Sequence, residues 1–135
     1  FAALMHSFGA GLDAHLVERA LSLVQLWIAD DCALIGPPES LLVAWRWIME
    51  RAPSEEAYRA GSATPSEPWH CVVRLGKTKV YAPMGAKRFE ATELHAELPS
   101  VVKRCYDGVK LVGAPLGTDA HWRPRPSAGD HSPPH

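Results

Sequence analysis

Asp30 and Asp31 are the residues best suited to chemistry in this chain. They stand side by side between two apolar runs, Val24 to Ile28 and Cys32 to Ile35. The first run is β-branched and aromatic, and the pair of runs has the pattern of a buried hairpin with the carboxylates at its tip. Two adjacent anions repel each other and are costly to desolvate. A divalent cation would relieve that cost. The plainer alternative is a solvated turn, since Asp is a common turn residue. On the hairpin alone the turn is the favoured reading, because short motifs match by chance.

The cationic candidates lie downstream. Gly76-Lys77-Thr78-Lys79-Val80 follows a predicted strand over 69–75, and Lys77 and Lys79 fall on one face if the chain stays extended to Tyr81. An edge strand with solvated lysines is the plain alternative. A third stretch, Asp107 to Gly117, carries Asp-Gly as a hairpin signal, then a strand to Val112, in which Val109 and Leu111 alternate with Lys110 and Val112. Gly113 would allow close backbone approach, and Pro115 is expected to stop the ladder.

Taken in order, these stretches resemble the palm region of reverse transcriptases of the non-LTR retrotransposon type. Ile28-Ala29-Asp30-Asp31 looks like the family's Tyr-x-Asp-Asp turn, and Phe1 to His6 looks like the end of the helix after its Gln-Gly segment. Residues Gly76 to Val80 are similar to its Asn-x-x-Lys-Thr-Lys block, and Asp107 to Gly117 to the hairpin that holds the primer end. Order and spacing carry the resemblance, which spans most of residues 1–119. The sequence departs from the pattern at three places: Ile28 replaces the usual Tyr, Cys32 the residue that is often Gly, and Arg74 the usual Asn.

The resemblance implies an RNA-directed DNA polymerase that joins nucleotides by in-line phosphoryl transfer with two Mg²⁺ or Mn²⁺ ions. Asp30 is then the stronger metal ligand and Asp31 the weaker. Lys77 is a catalytic cation at the leaving pyrophosphate, where a positioned ammonium can act as general acid. Lys110, Leu111 and Gly113 would touch nucleic acid. The implied partners are an RNA or DNA template with its primer, a dNTP, and the upstream fingers and palm portion, which bears a further catalytic Asp. Lacking that portion, the chain is expected to be inactive alone. A non-catalytic α+β interaction module derived from a retroelement is the alternative.

Composition fits these readings without selecting one. The 135 residues, 47% of them hydrophobic, suit one small domain, and the absence of an initial Met suggests a fragment. Net charge is −1, which leaves no overall basic footprint for nucleic acid. No apolar run is long enough to span a membrane, and no signal peptide is visible at Phe1. Cys32, Cys71 and Cys105 form no Cys-x-x-Cys pair, so zinc is not expected. An odd cysteine count suits reduced thiols in an intracellular protein.

The elements that must position the candidates follow from pattern. An apolar helix over 1–8 should be broken by Gly9 and Gly11. Asp13 should cap a second helix that buries Leu12, Leu16, Val17 and Ala20. Pro37 and Pro38 should start a helix whose face of Leu41, Trp45, Ile48, Met49 and Ala52 packs on the sheet, ended by Pro53. Ser54 to Pro68 reads as a loop with at most one helical turn. Ala86 to Leu98 reads as a helix ended by Pro99, and Val101 begins a strand. From about residue 120 the Pro-rich tail is expected to be disordered. The predicted class is α+β, a small antiparallel palm-type sheet with helices on one face.

Overall fold

The computed structural model describes residues 2–28, 31–111 and 114–117. They form five α-helices and six short strands, a mixed α+β arrangement. The strands do not join in one antiparallel sheet as predicted. Three separate two-stranded sheets form instead, two antiparallel and one parallel.

Helix α1 runs unbroken over Ala2–Val17. Gly9 and Gly11 were expected to interrupt it and do not. They are places of close approach. A Cβ on Gly9 would stand 2.9 Å from Gln25 Oε1, and one on Gly11 would stand 3.2 Å from the Trp47 ring. The helix accepts two poor helix formers because bulkier residues would push its neighbours away. Leu12 and Leu16 are buried as predicted, but Val17 is 72% exposed. Ala20 is also exposed, because the chain leaves the helix there through a left-handed turn with Ala20 at φ 56°. The Leu21 N–H closes that turn on the Leu16 carbonyl at 2.9 Å.

The predicted hairpin forms. Strand β1 (Val24–Ile28) pairs antiparallel with β2 (Asp31–Ile35), Ile28 opposite Asp31, so Ala29 and Asp30 make the connection. One face is turned to α1. Gln25 Nε2 donates to the Gly9 carbonyl at 3.0 Å and to Asp13 at 2.8 Å, and its Oε1 accepts from Trp27 Nε1. The other face is not buried: Val24, Leu26 and Ile35 are exposed. A hairpin held from one side only cannot bury both faces, so the expectation of a buried hairpin holds for half of it.

Helix α2 (Pro38–Arg51) starts at the proline pair as predicted. It does not lie with one apolar face on a sheet. It stands between two cores. On one side Ala44, Trp47 and Ala52 join Phe8, Leu12 and Leu16, with Trp27, Leu34 and Trp69 packed around them. On the other side Leu42 joins Ala82, Phe89, Leu94 and Leu98, with Leu41 and Trp45 alongside. Trp47, outside the predicted face, is the deeply buried tryptophan among the described residues, at 4% exposure. Phe8 meets Trp27, Trp47 and Trp69 edge-on at centroid distances of 5.8, 5.0 and 5.3 Å, favourable geometry for aromatic pairs.

The segment after α2 contains one short helix, α3 (Glu55–Arg59), with Ser54 Oγ capping the Ala57 N–H. This agrees with the predicted single turn. The strand expected over 69–75 is absent. His70 is in the left-handed region at φ 52°, which breaks an extended run, and only an isolated bridge joins Ser54 to Val73. Leu75–Lys77 is a 3₁₀ turn, and β3 is confined to Lys79–Tyr81.

The predicted helix over 86–98 divides into α4 (Ala86–Phe89) and α5 (Glu93–Glu97). Thr92 restarts the helix, its Oγ1 accepting from the His95 N–H at 3.2 Å. Strand β4 (Lys103–Cys105) lies parallel to β3. Such a pair needs a crossover, which α4 and α5 supply. Arg104 ties this unit together. Its Nη1 donates to the carbonyls of Pro99 and Val102 at 2.7 and 2.6 Å, and its Nη2 to those of His95 and Leu98, both at 3.0 Å. One guanidinium thus satisfies carbonyls left open where α5 ends.

Strands β5 (Gly108–Leu111) and β6 (Ala114–Gly117) form the last hairpin. Leu111 pairs with Ala114 and Gly108 with Gly117, so Asp107-Gly108, predicted as the hairpin turn, instead stands at the start of β5, where the chain passes from the β3–β4 sheet to this one. Pro115 lies within the ladder opposite Lys110 and does not end it. The predicted disordered tail lies outside the described residues.

Candidate functional site

Two surface regions contain the predicted chemistry. At the first, the β1–β2 hairpin presents its tip, with Asp31 exposed at the start of β2. Register places Asp31 on the face with Ala33 and Ile35, turned away from α1, because side chains alternate along a strand. Asp30, the stronger predicted ligand, lies outside the described residues. Cys32 follows, opposite Trp27. The residue is exposed, yet desolvation of its thiol raises the pKa to about 12. A thiol so shifted is protonated at neutral pH and is no nucleophile.

Asp31 supplies the hard oxygen that Mg²⁺ and Mn²⁺ take, and one or two carboxylates with several waters can hold such an ion loosely. Among the described residues no three His, Cys, Asp or Glu side chains stand together as a metal cage.

The second region surrounds Lys77. This residue was expected on a strand sharing a face with Lys79. It stands instead in the 3₁₀ turn, exposed, where period-two alternation does not apply. With Arg74 just before that turn, Gly76 within it and Glu55, Glu56 and Arg59 from α3 it lines an open depression of about 400 Å³. Glu55 forms ion pairs with both arginines, Oε1 lying 2.7 Å from Arg59 Nη2 and Oε2 3.5 Å from Arg74 Nε. Neither arginine was singled out from the sequence. Their signal was faint: Arg74 at the usual Asn position, and a Glu-Arg pair four apart on α3.

Of the predicted nucleic-acid contacts, Lys110 is exposed on β5 and Leu111 ends that strand. Gly113 lies outside the described residues. Asp31 is on the first hairpin, Lys77 in the 3₁₀ turn and Lys110 in the last hairpin, three separate elements.

No protein family matches this chain, no characterised protein is significantly similar to it, and no solved structure matches it. No helix of the described residues is long and apolar enough to cross a membrane.

Proposed function

We propose that this chain is a palm portion of a reverse transcriptase, a nucleotidyltransferase that requires an upstream portion for activity. The observation that carries the reading is the β1–β2 hairpin, in which Ile28 pairs with Asp31, so the Asp pair falls in sequence where the two strands meet. A short turn between paired strands restrains a carboxylate while leaving it open to substrate. Asp30 and Asp31 would hold Mg²⁺ or Mn²⁺, which when bound stabilises charge on the attacking and leaving oxygens of a phosphoryl transfer. Lys77 would give a proton to the leaving pyrophosphate. Lys110, Leu111 and Gly113 would face the primer end, with template and dNTP held in the complete enzyme.

The test is Mn²⁺ titration followed by water-proton relaxation. The wild-type chain should bind Mn²⁺ weakly, and Asp30→Asn should abolish that binding. Unchanged binding in the variant sinks the reading. In an enzyme rebuilt with the upstream portion, Gly113→Val should weaken primer extension more than template binding.

A second reading is supported by the outward face of the same hairpin, where Val24, Leu26 and Ile35 are exposed. A non-catalytic interaction module would use that apolar face. It would show no Asp30-dependent Mn²⁺ binding, and Gly113→Val would have no selective effect on primer extension.

A further inference from the structure

We propose that the depression between α3 and the 3₁₀ turn is a binding site for phosphate groups, with Arg59, Arg74 and Lys77 as its cations. The site shares Lys77 with the proposed function and otherwise rests on its own geometry. Its walls are fixed by the backbone. The Glu55 N–H donates to the Val73 carbonyl at 2.9 Å and the Val73 N–H to the Pro53 carbonyl at 2.8 Å, which binds the start of α3 to the segment entering the turn. On the far wall the Lys77 N–H and Thr78 Oγ1 both bond to the Arg74 carbonyl, at 3.1 and 2.8 Å.

Charge within these walls is arranged for an anion. Three cations face two carboxylates, a local excess of one positive charge in a chain whose net charge is −1. The two carboxylates are not equivalent. Glu55 is largely covered, its side chain 22% exposed, with one oxygen turned to each arginine. It therefore orients two guanidiniums and adds little negative surface of its own. Each guanidinium carries five N–H donors, more than one shared carboxylate can accept. Lys77 has no ion-pair partner among the described residues. Two planar forks and an unpaired ammonium suit tetrahedral oxyanions with several acceptor oxygens. A volume of about 400 Å³ admits a diphosphate with its water. The phosphates of a nucleotide and those of a nucleic-acid backbone offer the same chemistry.

The experiment is calorimetric titration of the full chain with inorganic pyrophosphate at low ionic strength. Wild type should bind, and Arg74→Gln and Lys77→Gln should each weaken binding by about tenfold, the usual scale of one charge-assisted contact. Glu56→Gln, which removes the exposed carboxylate, should tighten it. Asp31→Asn should leave it unchanged. These side chains are exposed or paired at the surface, and circular dichroism will verify that each variant folds. A 5′-hydroxyl oligothymidylate then separates the sources: competition with pyrophosphate assigns the site to backbone phosphates, and no competition assigns it to terminal ones. Absence of pyrophosphate binding, or binding insensitive to both Arg74→Gln and Lys77→Gln, overturns the proposal. If Mn²⁺ binding at the hairpin fails while pyrophosphate binding holds, the polymerase reading falls and the anion site stands. The opposite pattern removes only the anion site.

Discussion

At the residue scale, the glycines of α1 are informative because their role could not be read from type. A Gly inside a helix usually destabilises it, and two within three residues predicted a break. Steric contact with another element decides otherwise. Gly11 faces the Trp47 ring, which Phe8 and Trp69 hold in place, so the ring cannot yield to a larger neighbour. Gly11→Val should lower stability by roughly 1–3 kcal/mol, the ordinary cost of overpacking, despite the propensity gained. Urea denaturation will measure it, and a stabilised variant would show that Trp47 can move. The burial of Leu12 and Leu16 was legible, since helical spacing marks them. Burial of Trp47 over Trp45 was not, because α2 has apolar residues on two sides and periodicity alone does not rank them.

At the element scale, α2 and α5 are joined across the surface by Arg46 and Glu97, whose closest approach is 2.6 Å. Hydrogen bonding and the charge of Arg46 hold the Glu97 carboxyl below its ordinary value of 4.5. The sign follows from linkage. A carboxyl with a depressed folded pKa stabilises the fold above 4.5, and that stabilisation fades as pH falls through the lower folded value. Both side chains are substantially exposed, so the effect is small and salt-sensitive. Glu97→Gln should flatten the acid limb of stability against pH, measured by thermal melting between neutral pH and pH about 3. An unchanged limb would show that the pair does nothing in solution. Elements with local signals were legible: the proline start of α2, the single turn after Ser54 and the Asp-tipped hairpin. The strand expected over 69–75 failed because apolar alternation marks a strand only if a partner edge is available, and Val73 finds only one bridge. The parallel pairing of β3 with β4 joins residues 24 apart through Lys79 and Lys103, a separation that local pattern does not record.

For the whole molecule, two buried clusters meet along one helix. Phe8, Leu12, Leu16 and Trp47 form one, and Leu42, Phe89, Leu94 and Leu98 the other, with α2 common to both. Loss of either should loosen the helix that supports the other. Trp47→Ala and Phe89→Ala should each cost about 3–5 kcal/mol and shift a single cooperative transition. Two resolved transitions, each sensitive to one substitution only, would instead make the clusters independent units. The α+β class was visible in the sequence. Its division into three two-stranded sheets was not, because strand partners are chosen by the packing of helices between them.

The hold that Arg104 has on four carbonyls has a further consequence, for proteolysis. Trypsin recognises a basic side chain by drawing it into a deep acidic pocket, and this guanidinium would first have to leave every carbonyl that it serves. Arg59, with its side chain 76% exposed, has only a surface ion pair with Glu55 to break. In a brief digest, cleavage should therefore begin after exposed basic residues such as Arg59, Lys77 and Lys110 and reach the Arg104 bond only in molecules that have opened the β3–β4 unit. The rate of that late cut then becomes a clock for local opening, readable by mass spectrometry without altering a residue.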